Sequence, residues 1–81
     1  LGIMPDYASE GGEGLRVDGI INNKPANRSG MEKGDVIVAM DGKPVKNIYD
    51  YMYRLEECKP GQRINVDVLR NGKNITLVVD L

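Results

Sequence analysis

The stretch from Arg63 to Leu81 constrains the fold more than any other part of the chain. Ile64, Val66 and Val68 alternate with polar residues, and Ile75, Leu77, Val79 and Leu81 share one face of the return segment. Strict alternation is the signature of a strand with one buried face. Between the two runs stands Asn71-Gly72, the pair preferred in two-residue hairpin turns because both positions take a positive φ. The two segments therefore predict an antiparallel hairpin. A lone hairpin is marginal in water, so the rest of the chain must supply a partner for its apolar face.

The preceding residues read as short elements punctuated by Gly, Pro and Asn. Residues 1–7 read as an extended entry, and 8–14 as a loop with three glycines among its last four positions. Leu15-Arg16-Val17-Asp18 alternates and Ile20-Ile21 continues a strand. Asn22-Asn23-Lys24 turns, and Pro25 opens a short helix at the position where its missing N–H costs nothing. Asp35 to Met40 is the most apolar run and the expected central strand, ending at the Asp41-Gly42 turn. Pro44-Val45 fits only a brief edge strand. Asn47 is a good N-cap with Asp50 three residues on, predicting a helix over 48–57 that Pro60-Gly61 terminates. On that helix Ile48, Tyr51, Met52 and Leu55 fall on one face. Tyr51 is expected in the core, and Tyr49 and Tyr53 in solvent. The sum is an α+β, mainly β fold: a small, partly open β-barrel of five to six strands with two helices, in one domain spanning 1–81.

Composition narrows the function. With 81 residues, 41% apolar and 28% charged, the chain suits one domain with one small core. A net charge of −1 and no basic stripe argue against nucleic acid as a partner. No apolar run is long enough for membrane insertion, and none of these residues reads as a signal peptide. An ordered element at Leu1 suggests a domain excised from a longer protein. The absence of histidine removes Ser-His and Cys-His catalysis and histidine-bound zinc. The single Cys58 forms no internal disulfide and no metal cluster, and reads as a half-buried small residue. No catalytic residue, metal ligand or cofactor site is assigned within this domain. Residues 11–18 contain no phosphate loop, since neither G-x-G-x-x-G nor Gly-Lys-Ser/Thr completes. Asn27-Arg28-Ser29 and Asn74-Ile75-Thr76 match the glycosylation pattern but fall in a helix and a paired strand, where chance explains them better. Asp35 and Asp41 sit at turns, where aspartate is expected for backbone reasons.

One motif does point to binding. In Leu1-Gly2-Ile3-Met4-Pro5 a glycine between apolar residues allows a sharp turn, after which successive N–H groups converge on an anion such as a carboxylate. The same residues open a wider resemblance. Pro25-Ala26, Ser29-Gly30-Met31, Lys33-Gly34-Asp35-Val36-Ile37, Asp41-Gly42-Lys43-Pro44-Val45, Pro60-Gly61 and Val68-Leu69-Arg70-Asn71-Gly72-Lys73 together resemble a PDZ domain of the bacterial, circularly permuted type. That resemblance implies a non-catalytic module in which a peptide C-terminus adds as a strand between a sheet edge and the longer helix. Carried onto this chain, the backbone N–H groups of Leu1, Gly2 and Ile3 would hold the terminal carboxylate. Leu1, Ile3, Met52 and Leu55 would line the pocket for an apolar last side chain. Ile48 would take the first groove-facing helix position, where some family members carry a histidine that selects Ser or Thr; Ile48 implies an apolar preference instead. Helical spacing by itself would equally place Ile48, Met52 and Leu55 in a core.

Pro5 departs from the family pattern. It stands where the edge strand would donate an N–H to the peptide, and proline has none. The missing ladder bond is worth about 0.5–1.5 kcal/mol. A second expectation is therefore a structural domain that docks on its own catalytic domain and takes no free peptide. Narrower still, Leu1-Gly2-Ile3-Met4-Pro5-Asp6-Tyr7 and Tyr51-Met52 resemble the C-terminal PDZ domain of bacterial zinc aminopeptidases. Similar domains occur in high-temperature-requirement-type and tail-specific proteases. The resemblance implies a periplasmic, cell-envelope or secreted parent peptidase, with any zinc and all catalytic residues outside this domain.

Overall fold

In the computed structural model, which describes residues 1–6 and 14–81, the alternating segments at the C-terminal end form the expected hairpin. β5 (Arg63–Arg70) and β6 (Lys73–Asp80) pair antiparallel without a break from Arg63↔Asp80 to Arg70↔Lys73. Asn71 and Gly72 have φ of 53° and 78°, the left-handed pair that a two-residue turn needs for its twist to match the strands. Ile64, Val66, Val68 and Val79 are buried, as alternation requires. Across the other face Arg63 pairs with Asp80 at 2.7 Å, and Thr76 Oγ1 donates to Asp67 Oδ1 at 2.6 Å.

The remaining strands extend this hairpin into one antiparallel sheet. They are β1 (Ile3–Pro5), β2 (Leu15–Ile20), β3 (Val36–Met40) and β4 (Lys43–Pro44). The order is β1-β2-β3-β5-β6, with β4 added to β3, so the apolar β3 is central as its composition predicts. The sheet curls around the core without closing, giving the partly open barrel. Several boundaries differ from expectation, by one residue at the start of β3 (Val36 rather than Asp35) and at the end of the helix expected over 48–57 (Glu56), and by more at β4 and the first strand. β4 begins at Lys43, because Ala39↔Pro44 and Met40↔Lys43 pair directly around the Asp41-Gly42 turn. Val45, expected in that strand, instead buries its side chain while its N–H reaches Val38 O at 2.9 Å. The first strand is shorter than 1–7: it runs only over Ile3–Pro5, and the expected end at 7 and most of the loop over 8–14 lie outside the described residues.

Two helices complete the fold. α1 (Pro25–Arg28) starts on proline and buries Ala26. α2 (Ile48–Glu56) starts at Asn47, whose Oδ1 accepts from the Asp50 N–H at 2.9 Å. Asp50 Oδ2 in turn accepts from the Lys46 N–H at 3.0 Å, one residue outside the reciprocal bond of a standard capping box. The apolar face of α2 buries Tyr51 in the cluster built by Ile37, Met40, Val45, Ile64, Val66 and other sheet residues.

Candidate functional site

β1 is an edge strand, paired with β2 on one side only among the described residues. Gly2 O accepts from Ile21 N–H at 2.9 Å, and Asp6 N–H donates to Arg16 O at 2.9 Å. Main-chain groups alternate sides along a strand, so Met4 and Asp6, with the Gly2 C=O, face β2 while Ile3 and Pro5 face the open edge. The register slips between Met4↔Gly19 and Pro5↔Val17, leaving Asp18 as the extra residue of a bulge in β2, so β1 itself keeps its alternation. The open edge thus offers the Ile3 N–H and C=O and the Pro5 C=O. Pro5 has no N–H there, as its position in the sequence suggested.

Gly2 sets up this edge. Its φ is +80°, a left-handed conformation that costs other residues energy, and a Cβ on it would collide with the Lys24 side chain. The turn is tied to α1, since Ala26 N–H donates to Leu1 O at 3.0 Å.

The apolar residues expected beside this edge divide into two groups. Leu1 and Ile3, and from α2 Ile48 and Leu55, are half-buried and pack against the one core cluster. Met52 is 53% exposed and so is not a core residue, although helical phase gave it the same face as Tyr51. Tyr49 and Tyr53, at 76% and 69% exposed, lie in solvent as expected. Met52 and Tyr49 with Tyr53 therefore leave α2 with apolar surface in water.

Two polar features escaped the sequence reading. Asp35 is 1% exposed and is held by Arg70, whose Nε and a terminal nitrogen donate at 2.9 and 2.8 Å. The Glu32 N–H donates to Asp35 Oδ2 at 3.0 Å, which is the turn role expected of the residue, but the Arg70 pair adds a buried charge partner. Arg70 also pairs with Glu32 at 2.7 Å and donates to Gly30 O at 3.0 Å. Burial pushes the Asp35 carboxyl up, but the Arg70 hydrogen bonds, the Glu32 N–H and the Arg70 charge together outweigh it and hold the group below its ordinary range. Separately, a cavity of about 190 Å³ lies between the end of α2 and the sheet, lined by Met40, Asp41, Lys43, Arg54, Glu57 and Cys58 among others. It contains none of the expected groove residues. Glu57 lies 2.6 Å from Lys43 and 3.4 Å from Arg54, and Asp41 Oδ1 accepts from the Asn65 N–H at 3.0 Å. Cys58 is half-buried as expected, its thiol donating to Arg54 O at 3.3 Å, and burial raises its pKa.

A curled antiparallel sheet, an open glycine-kinked edge strand and one longer helix on the same core define a small class of interaction module. The chain belongs to the PDZ domain family, whose sequence model matches residues 1–81. Among curated proteins it is 33% identical to a probable periplasmic serine endoprotease DegP-like of Pseudomonas fulva, over 95% of this chain and 16% of that protein. Among solved structures it is 30% identical to an HtrA-type protease AlgW with a decapeptide, at a TM-score of 0.87, covering 99% of this chain and 27% of that one. An aminopeptidase N family protein of Idiomarina loihiensis shares the fold at a TM-score of 0.85 and 23% identity, over 98% of this chain and 13% of that one. The chain spans between 10% and 23% of the length of the curated relatives it matches. As a PDZ domain it is a non-catalytic module. No helix among the described residues is long and apolar enough to cross a membrane.

Proposed function

We propose that this domain captures the C-terminus of a peptide or protein with an apolar last residue, as an accessory module of a larger bacterial peptidase that recruits or orients substrate. The observation that carries the reading is the open β1 edge, with the Ile3 main chain facing outward, on a core margin that also takes in the half-buried Leu1 and, from α2, Ile48 and Leu55. A 30%-identical relative solved with a decapeptide supports it. In this reading the N–H groups of Leu1, Gly2 and Ile3 take the carboxylate. The last side chain lodges among Leu1, Ile3, Met52 and Leu55, and Ile48 meets the third residue from the end.

The parent is a periplasmic or envelope peptidase, as the name of the DegP-like relative supports. The 30–33% relatives favour a serine endoprotease. The zinc aminopeptidase resemblance remains the narrower form of the proposal, and its zinc would be held by another domain. The coding sequence flanking this domain separates the two: histidines and a carboxylate at zinc-ligand spacing establish the aminopeptidase, and their absence removes it.

The binding reading is tested by titrating labelled domain with a hexapeptide ending in free valine. Amide shifts at Gly2 and Ile3 are expected, lost when the peptide is C-terminally amidated and absent in Gly2→Ala. No shift at millimolar peptide overturns the reading. Pro5 on the open edge favours a second reading, in which the groove docks on the parent's own catalytic domain. That reading expects the same amides to be shielded in the full-length protein without added peptide.

A further inference from the structure

We infer that the cavity between the end of α2 and the sheet is a second ligand site, which takes a small monocarboxylate with a short apolar tail, and that Glu57 holds its outer part in the ligand's place. The site shares no residue with the proposed groove and does not depend on the peptide reading. The lining changes character with depth. Met40 and Ile64 are buried and make the inner side apolar, whereas the Lys43 and Glu57 side chains are exposed and make the outer side charged. Two cations converge there on one carboxylate: Lys43 Nζ donates to Glu57 Oε2 at 2.6 Å, and Arg54 Nη1 to Glu57 Oε1 at 3.4 Å. The Lys43 hydrogen bond first, then the charges of Lys43 and Arg54, hold the Glu57 carboxyl below its ordinary range, so this corner favours a carboxylate. Glu57 serves the two cations but leaves the inner apolar side uncovered. An acid whose carboxylate takes its position also lays a tail on Met40 and Ile64 and releases the water beside them. Charge fixes the class. Lys43 and Arg54 are matched by Glu57 and Asp41, so with Glu57 turned into solvent the lining keeps one net positive charge, which a monoanion neutralises. The pairs that Glu57 gives up lie at the surface and contribute little. The volume of about 190 Å³ is the share of about six water molecules at ~30 Å³ each, which suits an acid of about five carbons.

The test is a titration of the labelled domain with sodium 3-methylbutanoate, followed by its amide shifts. A ligand this small is expected to bind with a Kd of about 1–50 mM and to shift the amides of Asp41, Cys58 and Gln62. Sodium acetate has the charge without the tail, and 3-methylbutan-1-ol the tail without the charge; each is expected to bind at least about 3-fold more weakly. Glu57→Gln removes the competing charge and is expected to tighten binding about 2- to 10-fold, and Lys43→Gln to weaken it by a similar factor. Both substitutions are at exposed positions, and a melting curve confirms that each variant is folded. Shifts in Glu57→Gln alone uphold the inference, since Glu57 is then the resident that the acid fails to displace. No shift at these amides in either the parent chain or Glu57→Gln overturns it. Equal binding of acetate or of the alcohol overturns it too, as does a Glu57→Gln variant that binds no more tightly. The acid also resembles a chain end, so the β1 edge reports separately: shifts confined to Gly2 and Ile3 sink the cavity site and favour the peptide reading, whereas shifts at both sets of amides uphold both.

Discussion

Asp35 and Arg70 carry the largest single electrostatic commitment in the described structure. A carboxylate that is 1% exposed and stripped of its guanidinium partner is an unpaired buried charge. Arg70→Leu is expected to cost about 3 kcal/mol in chemical denaturation, whereas Asp35→Asn with Arg70→Leu together should cost less than Arg70→Leu alone. The folded-state carboxyl is held below its ordinary value of 3.8, so its stabilisation is fully present above that pH and is lost as pH falls through the folded value. Melting temperature should therefore hold from neutral pH to about 5 and fall in acid, with a smaller acid slope in Asp35→Asn. None of this was legible in the chain, because the partners lie 35 residues apart and the turn role of Asp35 already explained the residue locally. Pro5 and Gly2 were legible, since their effects are written in their own covalent structure.

At the level of elements, periodicity served well where one answer was physically available. Alternation with Asn-Gly left the β5–β6 hairpin a single register, and the pairing follows it for every residue. The Asn47 cap was readable from its spacing to Asp50; Asn47→Ala is expected to cost about 1 kcal/mol and to increase hydrogen exchange in the first turn of α2. What spacing could not separate is the difference between Tyr51 and Met52. Both lie within the broad apolar arc of α2, yet Tyr51 enters the core and Met52 stays in water. The curvature of the sheet decides which part of that arc is covered, and it is a long-range property.

Across the whole molecule, β3 joins the two halves: it bonds to β2 and β4 towards the candidate site and to β5 of the hairpin. Ile37 lies at the crossing with no exposed surface. Ile37→Ala is expected to destabilise the domain by about 3 kcal/mol in a single cooperative transition, with hairpin and α2 probes melting together. The candidate site has no such central residue. It is assembled at the margin of the core from half-buried side chains and one strand edge, so ligand binding is expected to change while the global fold remains. The order of elements, the central place of β3 and the partly open sheet were legible from the sequence, whereas the placement of the cavity between α2 and the sheet was not, because three separate stretches of the chain build its walls.

The bare ring nitrogen of Pro5 also has a meaning without any ligand. An uncovered strand edge is a template on which another copy of the chain can grow a sheet. Here that edge is three residues long and one of the three cannot donate, while the bulge at Asp18 twists the strand beneath it. A lengthening β-stack finds too little to grip, whereas a single short chain end needs only one firm foothold. The geometry that would limit how tightly the proposed groove holds a guest thus also protects the domain against its own kind.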